Sequence, residues 1–266
     1  MLNGKKESEH LLLDLKKRIE SSHIKPGLAV ILVGDDQSSQ TYVSIKEKRA
    51  QEIGVHFEKY IFEKTVPQKK VQNLIQKLNK DQKVHGILLQ LPLPVGFDTD
   101  FLIHEISAKK DVDGFFFSQQ KKGCKPPVLV TILHFIKKTK KNMIGKRAAV
   151  VCHSTEFAES ISFVLQQKKI ATDILISPRD KKDLKKYDLV IVALGQKYWL
   201  KPDKVKKNAI LIDVGINHLK NSKNIFGDID PECSAITSFM TPVPGGVGPM
   251  TVASLLKNLV QISNIK

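Results

Sequence analysis

Apolar residues in this chain fall in short unbroken runs that end at glycine, separated by longer stretches with helical spacing. Residues 28–34 (LAVILVG) read as a strand buried on both faces, since a strand with one wet face would alternate apolar and polar positions. Residues 39–54 (SQTYVSIKEKRAQEIG) follow as a helix with Ser near its start and Gly at its end. The pattern then predicts a strand at 56–62, an amphipathic helix at 67–80 and a second buried strand at 84–91 (VHGILLQL). Pro92 and Pro94 close that strand, and a short helix near 101–107 leads into KDVDGF at 110–115. Residues 118–127 (SQQKKGCKPP) read as a linker. The alternation resumes with a helix at 128–138, a strand at 148–152, a helix at 157–168 and a strand at 172–176. Apolar strands at 189–195 (LVIVALG) and 209–215 (AILIDVG) follow, then a closing helix at 251–262. Two such blocks on either side of a linker predict an α/β protein of two domains built from parallel-sheet βαβ units. Ligand sites then belong at the carboxyl ends of the strands.

Composition leaves that picture intact. The chain has 266 residues, 41% hydrophobic and 26% charged, the ordinary range for a globular protein with a core of its own. Cys124, Cys152 and Cys233 lie far apart and form no C-x-x-C pair. That argues against a disulfide framework or a metal site and fits a reducing compartment. The first twenty residues read as an amphipathic helix rather than a signal peptide, and no apolar run approaches the ~20 residues needed to cross a bilayer. A cytoplasmic protein with no membrane partner is the expectation.

The net charge of +16 admits three readings. A nucleic-acid binder would gather charge on one face among aromatics, but here the lysines are spread along the chain and aromatics make up only 6%, so no nucleic-acid partner is expected. A solvated lysine-rich surface is the plainer reading. Steering of an anionic substrate is the third, and it is compatible with the second.

Polar residues stand beyond three of the first-half strands. Tyr42 and Lys46 are four apart and share a helix face; Ser39 lies one turn earlier on that helix. Gln90 ends the 84–91 strand, and Asp113 sits in KDVDG. A lysine, a tyrosine, an amide and a carboxylate make a plausible acid/base site with a substrate anchor. Taken alone, a Tyr–Lys pair on a helix is usually surface decoration and an Asp before Gly is usually a turn residue.

Four blocks change that weighting: residues 28–54, VHGILLQLPLP at 84–94, KDVDGF at 110–115 and TPVPGGVGPMTVASLL at 241–256. In order and spacing they resemble the signature blocks of the bifunctional methylenetetrahydrofolate dehydrogenase/methenyltetrahydrofolate cyclohydrolase family. The resemblance covers nearly the whole chain. It implies a folate-binding catalytic domain at 1–118, completed by the C-terminal helix 250–266. It also implies a Rossmann-like NAD(P)-binding domain at 126–249, with the folate site in the cleft between the two. It further implies that Lys46 serves the cyclohydrolase step, flanked by Tyr42 and Gln90, and that Asp113 anchors the pterin, with Ser39, Pro244, Gly245 and Gly246 also on the substrate side. Tetrahydrofolate is then the substrate, NADP the cofactor, and the assembly a homodimer.

The cofactor motif departs from the family pattern. After the 148–151 strand the family reads G-x-S-x-x-V-G-x-P, whereas this chain reads Cys152-His153-Ser154-Thr155-Glu156-Phe157-Ala158-Glu159-Ser160, keeping only Ser154. The lost glycines would make the tight turn and allow close approach of a pyrophosphate, and Glu156 and Glu159 oppose its charge. The linker is also shortened to GCKPPV, with Cys124 and Pro126 as remnants of the family's P-C-T-P-x-G. Other cofactor-side features persist. The block 213–217 (DVGIN) matches and puts Ile216 where the family contacts the cofactor, Gly227-Asp228 matches, and Gly195 ends its strand. Ser177 and Arg179 follow the second strand of this half, where a basic residue suits the NADP phosphate; a solvated loop arginine is the competing reading. The damaged motif keeps two rivals open: a cyclohydrolase with weak or lost dehydrogenase activity, and a non-catalytic folate-binding relative.

Overall fold

The computed structural model describes residues 3–120, 123–178, 183–218 and 224–265. The chain divides into two compact units, residues 9–127 with 252–266 and residues 1–8 with 128–251.

The first unit is built on a parallel sheet in the order β2-β1-β3, with β1 at Gly27–Val33, β2 at His56–Phe62 and β3 at Gly86–Leu89. Every residue of β1 is buried. Successive strand side chains point to opposite faces, and the packing shows where each set goes. Leu28 and Val30 meet Leu12 and Leu15 of α1 (Gly4–Glu20), Val43 and Ala50 of α2 (Gln37–Glu52) and the C-terminal helix. Ala29, Ile31 and Val33 meet Val71, Ile75 and Leu78 of α3 (Gln68–Lys80) and Leu102 of α4 (Thr99–Glu105). Helices on both faces explain why β1 carries no alternation.

Helix α2 begins two residues before the expected start. Asp36 is its cap, accepting the Ser39 N–H at 2.7 Å. The expected linker begins as helix: α5 spans Phe115–Gln120, so the backbone at 118–120 continues it. Its opening Phe-Phe-Phe supplies the apolar contact that a polar reading of SQQ overlooks, and Phe117 is buried.

The second unit carries five parallel strands in the order β10-β7-β6-β4-β5. They are β4 (Arg147–Cys152), β5 (Ala171–Ile176), β6 (Leu189–Ala193), β7 (Ile210–Asp213) and β10 (Phe239–Met240). The order reverses between β4 and β6, the topological switch point of an open α/β sheet. Helices α6 (Pro127–Lys138) and α7 (Thr155–Gln167) lead into and out of β4. A small antiparallel pair, β8 (Asn217–His218) with β9 (Ile225–Phe226), was not expected from sequence. The chain ends on α8 (Val247–Ile262), which starts four residues before the expected helix and supplies its later turns to the first unit. Residues up to Ser8 cluster with the second unit, although the sequence places them with the first. The Lys5 N–H donates to the Gly245 carbonyl at 3.1 Å, and Glu7 accepts from both His134 and Lys138 at 2.9 Å. A Cβ on Gly4 would sit 1.9 Å from the Gly246 oxygen, so this turn of α1 requires glycine. Among the described residues, no helix is long and apolar enough to cross a membrane.

Candidate active site and dinucleotide edge

The carboxyl edge of the β2-β1-β3 sheet gathers five of the residues singled out from sequence. After β1 the chain turns at Gly34, which adopts φ +89° and donates its N–H to Phe62 O at 2.8 Å. Asp36 then starts α2, and that helix carries Ser39, Tyr42 and Lys46. Gln90 prolongs the pairing of β3, its N–H donating to Ile31 O at 2.9 Å. The KDVDG segment comes alongside through a bridge between Ile87 and Asp111.

Lys46 is buried, only 6% exposed, on the helix that also buries Val43 and Ala50. Its ammonium donates to Gln90 Oε1 at 2.8 Å and lies 4.9 Å from the centre of the Tyr42 ring. The Gln90 amide cannot flip, because its Nε2 donates to the Leu91 carbonyl at 2.7 Å and so fixes the oxygen toward Lys46. Burial lowers the Lys46 pKa, and the Asp113 carboxylate pulls it partly back. Burial raises that of Asp113, opposed by Lys46. Tyr42 is pushed up to about 12, first by burial and then by Asp113, so it stays a phenol. The arrangement therefore holds an amine that gives up its proton more readily than an ordinary lysine, next to a neutral hydroxyl and a carboxyl group. That is the chemistry of a proton acceptor with an anchor for N–H donors.

Two further residues support this edge and were missed from sequence. Asp111 accepts the N–H of Gly114 at 2.9 Å and of Phe116 at 3.0 Å, which folds the turn bearing Asp113. Asn258 of α8 donates to the carbonyls of Val112 and Lys125, both at 2.9 Å. Asp111 lay in view within KDVDG; nothing in the sequence marks Asn258. Ser39 is buried and its N–H is held by Asp36. Pro244, Gly245 and Gly246 belong to the second unit, with Gly245 at φ +95° and Gly246 so tightly placed that a Cβ would meet Pro242 O at 2.3 Å.

In the second unit, the ends of β4, β5 and β6 bring His153, Ser177 and the Leu194-Gly195 turn together. The imidazole joins Ser177 Oγ through Nδ1 at 2.8 Å and Leu194 O through Nε2 at 3.0 Å. A carbonyl only accepts, so Nε2 carries a proton. Cys152 is buried, its thiol turned to Ser154 O at 3.2 Å. Ser154 caps α7, accepting the Phe157 N–H at 3.1 Å and donating to Glu156 Oε2 at 2.9 Å. The Glu156 carboxylate also takes its own backbone N–H, which with Ser154 holds its pKa below the usual range. Arg179 lies outside the described residues.

This edge fits a dinucleotide in part. The switch point is present, Gly195 at φ +65° has open space where a Cβ would stand, and Ile216 leaves an apolar side chain 48% exposed beyond β7. Against it, the start of α7, where a pyrophosphate would be drawn by free N–H groups, already carries a carboxylate. Among the described residues, no group of three His, Cys, Asp or Glu is arranged to hold a metal.

Comparison with known proteins gives the family of the chain. The family model for the tetrahydrofolate dehydrogenase/cyclohydrolase catalytic domain matches residues 2–113, and the one for the NAD(P)-binding domain of the same enzymes matches residues 126–266. A bifunctional protein FolD from Acetivibrio thermocellus is 37% identical, with 100% of this chain and 97% of the relative covered. One from Campylobacter hominis is 38% identical over 98% of this chain and 96% of its own. The crystal structure of FolD, methylenetetrahydrofolate dehydrogenase/cyclohydrolase, from Campylobacter jejuni superposes with a TM-score of 0.92 at 37% identity, covering 98% of this chain and 97% of that one.

Proposed function

The chain belongs to the tetrahydrofolate dehydrogenase/cyclohydrolase family, and we propose that it oxidises 5,10-methylenetetrahydrofolate with NADP and hydrolyses the methenyl product to 10-formyltetrahydrofolate. The observation that carries this reading is the buried Lys46 amine, held on Gln90 beside Tyr42 with its pKa lowered.

In the cyclohydrolase step a water oxygen attacks the cationic methenyl carbon. The proton released by that water passes to the neutral Lys46 Nζ. The bond from this carbon to N5 then breaks, the hydroxyl proton ends on N5, and the formyl group stays on N10. Gln90 aims the amine, and Tyr42, still protonated at neutral pH, is available to donate a hydrogen bond to the substrate. Asp113 accepts from pterin N–H groups, a geometry suited to a carboxylate. Because the reaction needs the unprotonated amine, the rate rises with pH through the lowered Lys46 pKa and then levels off. NADP, when bound, would supply the hydride acceptor for the methylene carbon, and what the chain contributes to the dehydrogenase step is alignment rather than acid/base chemistry.

Glu156 favours a second reading, a cyclohydrolase whose dehydrogenase step is weak, since its carboxylate stands where a pyrophosphate would be drawn. One assay separates the two: the absorbance of methenyltetrahydrofolate followed with purified protein, with and without NADP or NAD. Hydrolysis together with NADP-dependent formation of methenyltetrahydrofolate supports the first reading. Hydrolysis alone supports the second, and no hydrolysis overturns both. We also read the protein as a cytoplasmic homodimer, on family resemblance, which sedimentation equilibrium tests.

A further inference from the structure

Asp228, which meets the Leu194-Gly195 turn of the second edge, is fully buried and fully engaged. Its Oδ2 accepts the N–H groups of Leu194 at 2.6 Å and Gly195 at 3.0 Å. Its Oδ1 accepts the Gln196 N–H at 2.7 Å and Asn217 Nδ2 at 2.9 Å. One carboxylate thus gathers three consecutive amides of the turn after β6 and the first residue of β8, just beyond the loop that follows β7. The approach is possible only because Gly215 lacks a side chain: a Cβ there would fall 2.1 Å from the Asp228 carboxyl carbon. Asp213 locks the arrangement from behind. Its Oδ1 accepts from Gly215 at 3.0 Å and from the Asp228 N–H at 3.1 Å, and its Oδ2 accepts from Ile229 at 2.8 Å. The fit is close there too, for a Cβ on Gly227 would lie 2.0 Å from Asp213 Oδ2.

The two segments that Asp228 ties together flank residues on the carboxyl edge next to the switch point, where an open sheet of this order receives its ligand. Drawing the three N–H groups inward leaves the turn after β6 with Gly195, open above its Cα, as its ligand-facing surface. Holding Asn217 fixes the exit of the loop that carries the exposed Ile216. We infer that Asp228 is a positioning residue for the dinucleotide: it sets the spacing of Gly195 and Ile216 so that a flat ring can lie against them. This rests on the reading of the second unit as an NADP site.

Replacing the carboxylate by an amide keeps one acceptor oxygen and turns the other into a donor facing N–H groups. In Asp228→Asn the NADP dissociation constant by calorimetry should rise about tenfold or more, as expected when charged hydrogen bonds are lost. The KM for NADP should rise with it, while the cyclohydrolase rate stays within about twofold of wild type, since Lys46, Tyr42, Gln90 and Asp113 lie in the other unit. A purely structural role would instead lower the melting temperature and both activities in parallel. Asn217→Ala keeps the carboxylate but removes one of its four donors, together with the Asn217 bond to Phe226 O, and should weaken NADP about threefold. Unchanged NADP affinity in a folded Asp228→Asn protein overturns the inference. Should that variant fail to fold, unchanged affinity in Asn217→Ala overturns it. Absence of NADP binding by the wild-type chain is a different result: it removes the dinucleotide reading, and the inference with it.

Discussion

The edge at Lys46 and the turn after β4 are both strand-to-helix junctions at the carboxyl end of a parallel sheet, yet they treat charge in opposite ways. At the first, a buried amine has one amide partner, a tyrosine ring beside it and a carboxyl group whose own charge burial opposes. Neither charge is comfortable, and a proton or a substrate shifts the balance easily. At the second, the exposed Glu156 carboxylate is satisfied by a serine hydroxyl and a backbone N–H, and His153 has both ring nitrogens engaged. A ligand arriving there displaces bonds the chain has already made. The comparison teaches how the proposed catalytic edge differs from the proposed cofactor edge: the first buries ionisable groups at a cost, while at the second the altered motif's donors and acceptors have found each other.

Four changes break or sharpen that contrast. Lys46→Met should cut methenyl hydrolysis by ~10²–10⁴-fold, the range for losing a general base, while folate binding persists because the thioether chain fills the apolar volume. Stopped-flow absorbance checks this, and near-wild-type hydrolysis in a folded variant would remove Lys46 from the mechanism. Asp113→Asn should weaken folate binding by roughly 1.5–3 kcal/mol and impair both steps together, as a shared anchor requires. Unchanged folate affinity on titration would show that the anchor lies elsewhere. Glu156→Gln should tighten NADP severalfold by removing the carboxylate charge from the start of α7, an effect expected to fade with added salt. Equal affinities at low ionic strength would show that the carboxylate does not compete. The smallest effect concerns Asp213, whose pKa is pushed up to about 7, first by burial. Its folded value lies above its unfolded one, so its contribution is complete below the unfolded carboxylate range and is lost as pH rises through about 7. Asp213→Asn lacks that proton linkage. The gap in melting temperature between wild type and variant should therefore narrow from pH 5 to pH 8, and a constant gap would contradict the assignment.

Much of this was legible in the sequence, and for identifiable reasons. The runs at 28–34 and 84–91 mark buried strands because a strand covered on both faces needs no alternation, and helices do cover both faces of β1. Local spacing put Lys46, Tyr42, Gln90 and Asp113 at strand ends or on one helix face, but only the resemblance to the family raised them above surface and turn residues. Contacts made across the chain were not legible. Gly227-Asp228 matched the family block, but that match did not reveal the contact that Asp228 makes with the Leu194–Gln196 amides more than thirty residues away, and Asn258 reaches Val112 across 146 positions. Their side chains are ordinary polar residues until the fold encloses them. Helix α5 was hidden for a milder reason, since its polar second half resembles a linker while its buried Phe117 sits in the first.

The central claim is that burial leaves Lys46 with a readily surrendered proton. It is tested most directly by a ¹³C NMR titration of protein labelled at the lysine ε-carbons, with the Lys46 signal assigned by its loss in Lys46→Met. The account predicts a Lys46 midpoint clearly below those of the surface lysines. A Lys46 signal that titrates with them, or above them, would contradict it.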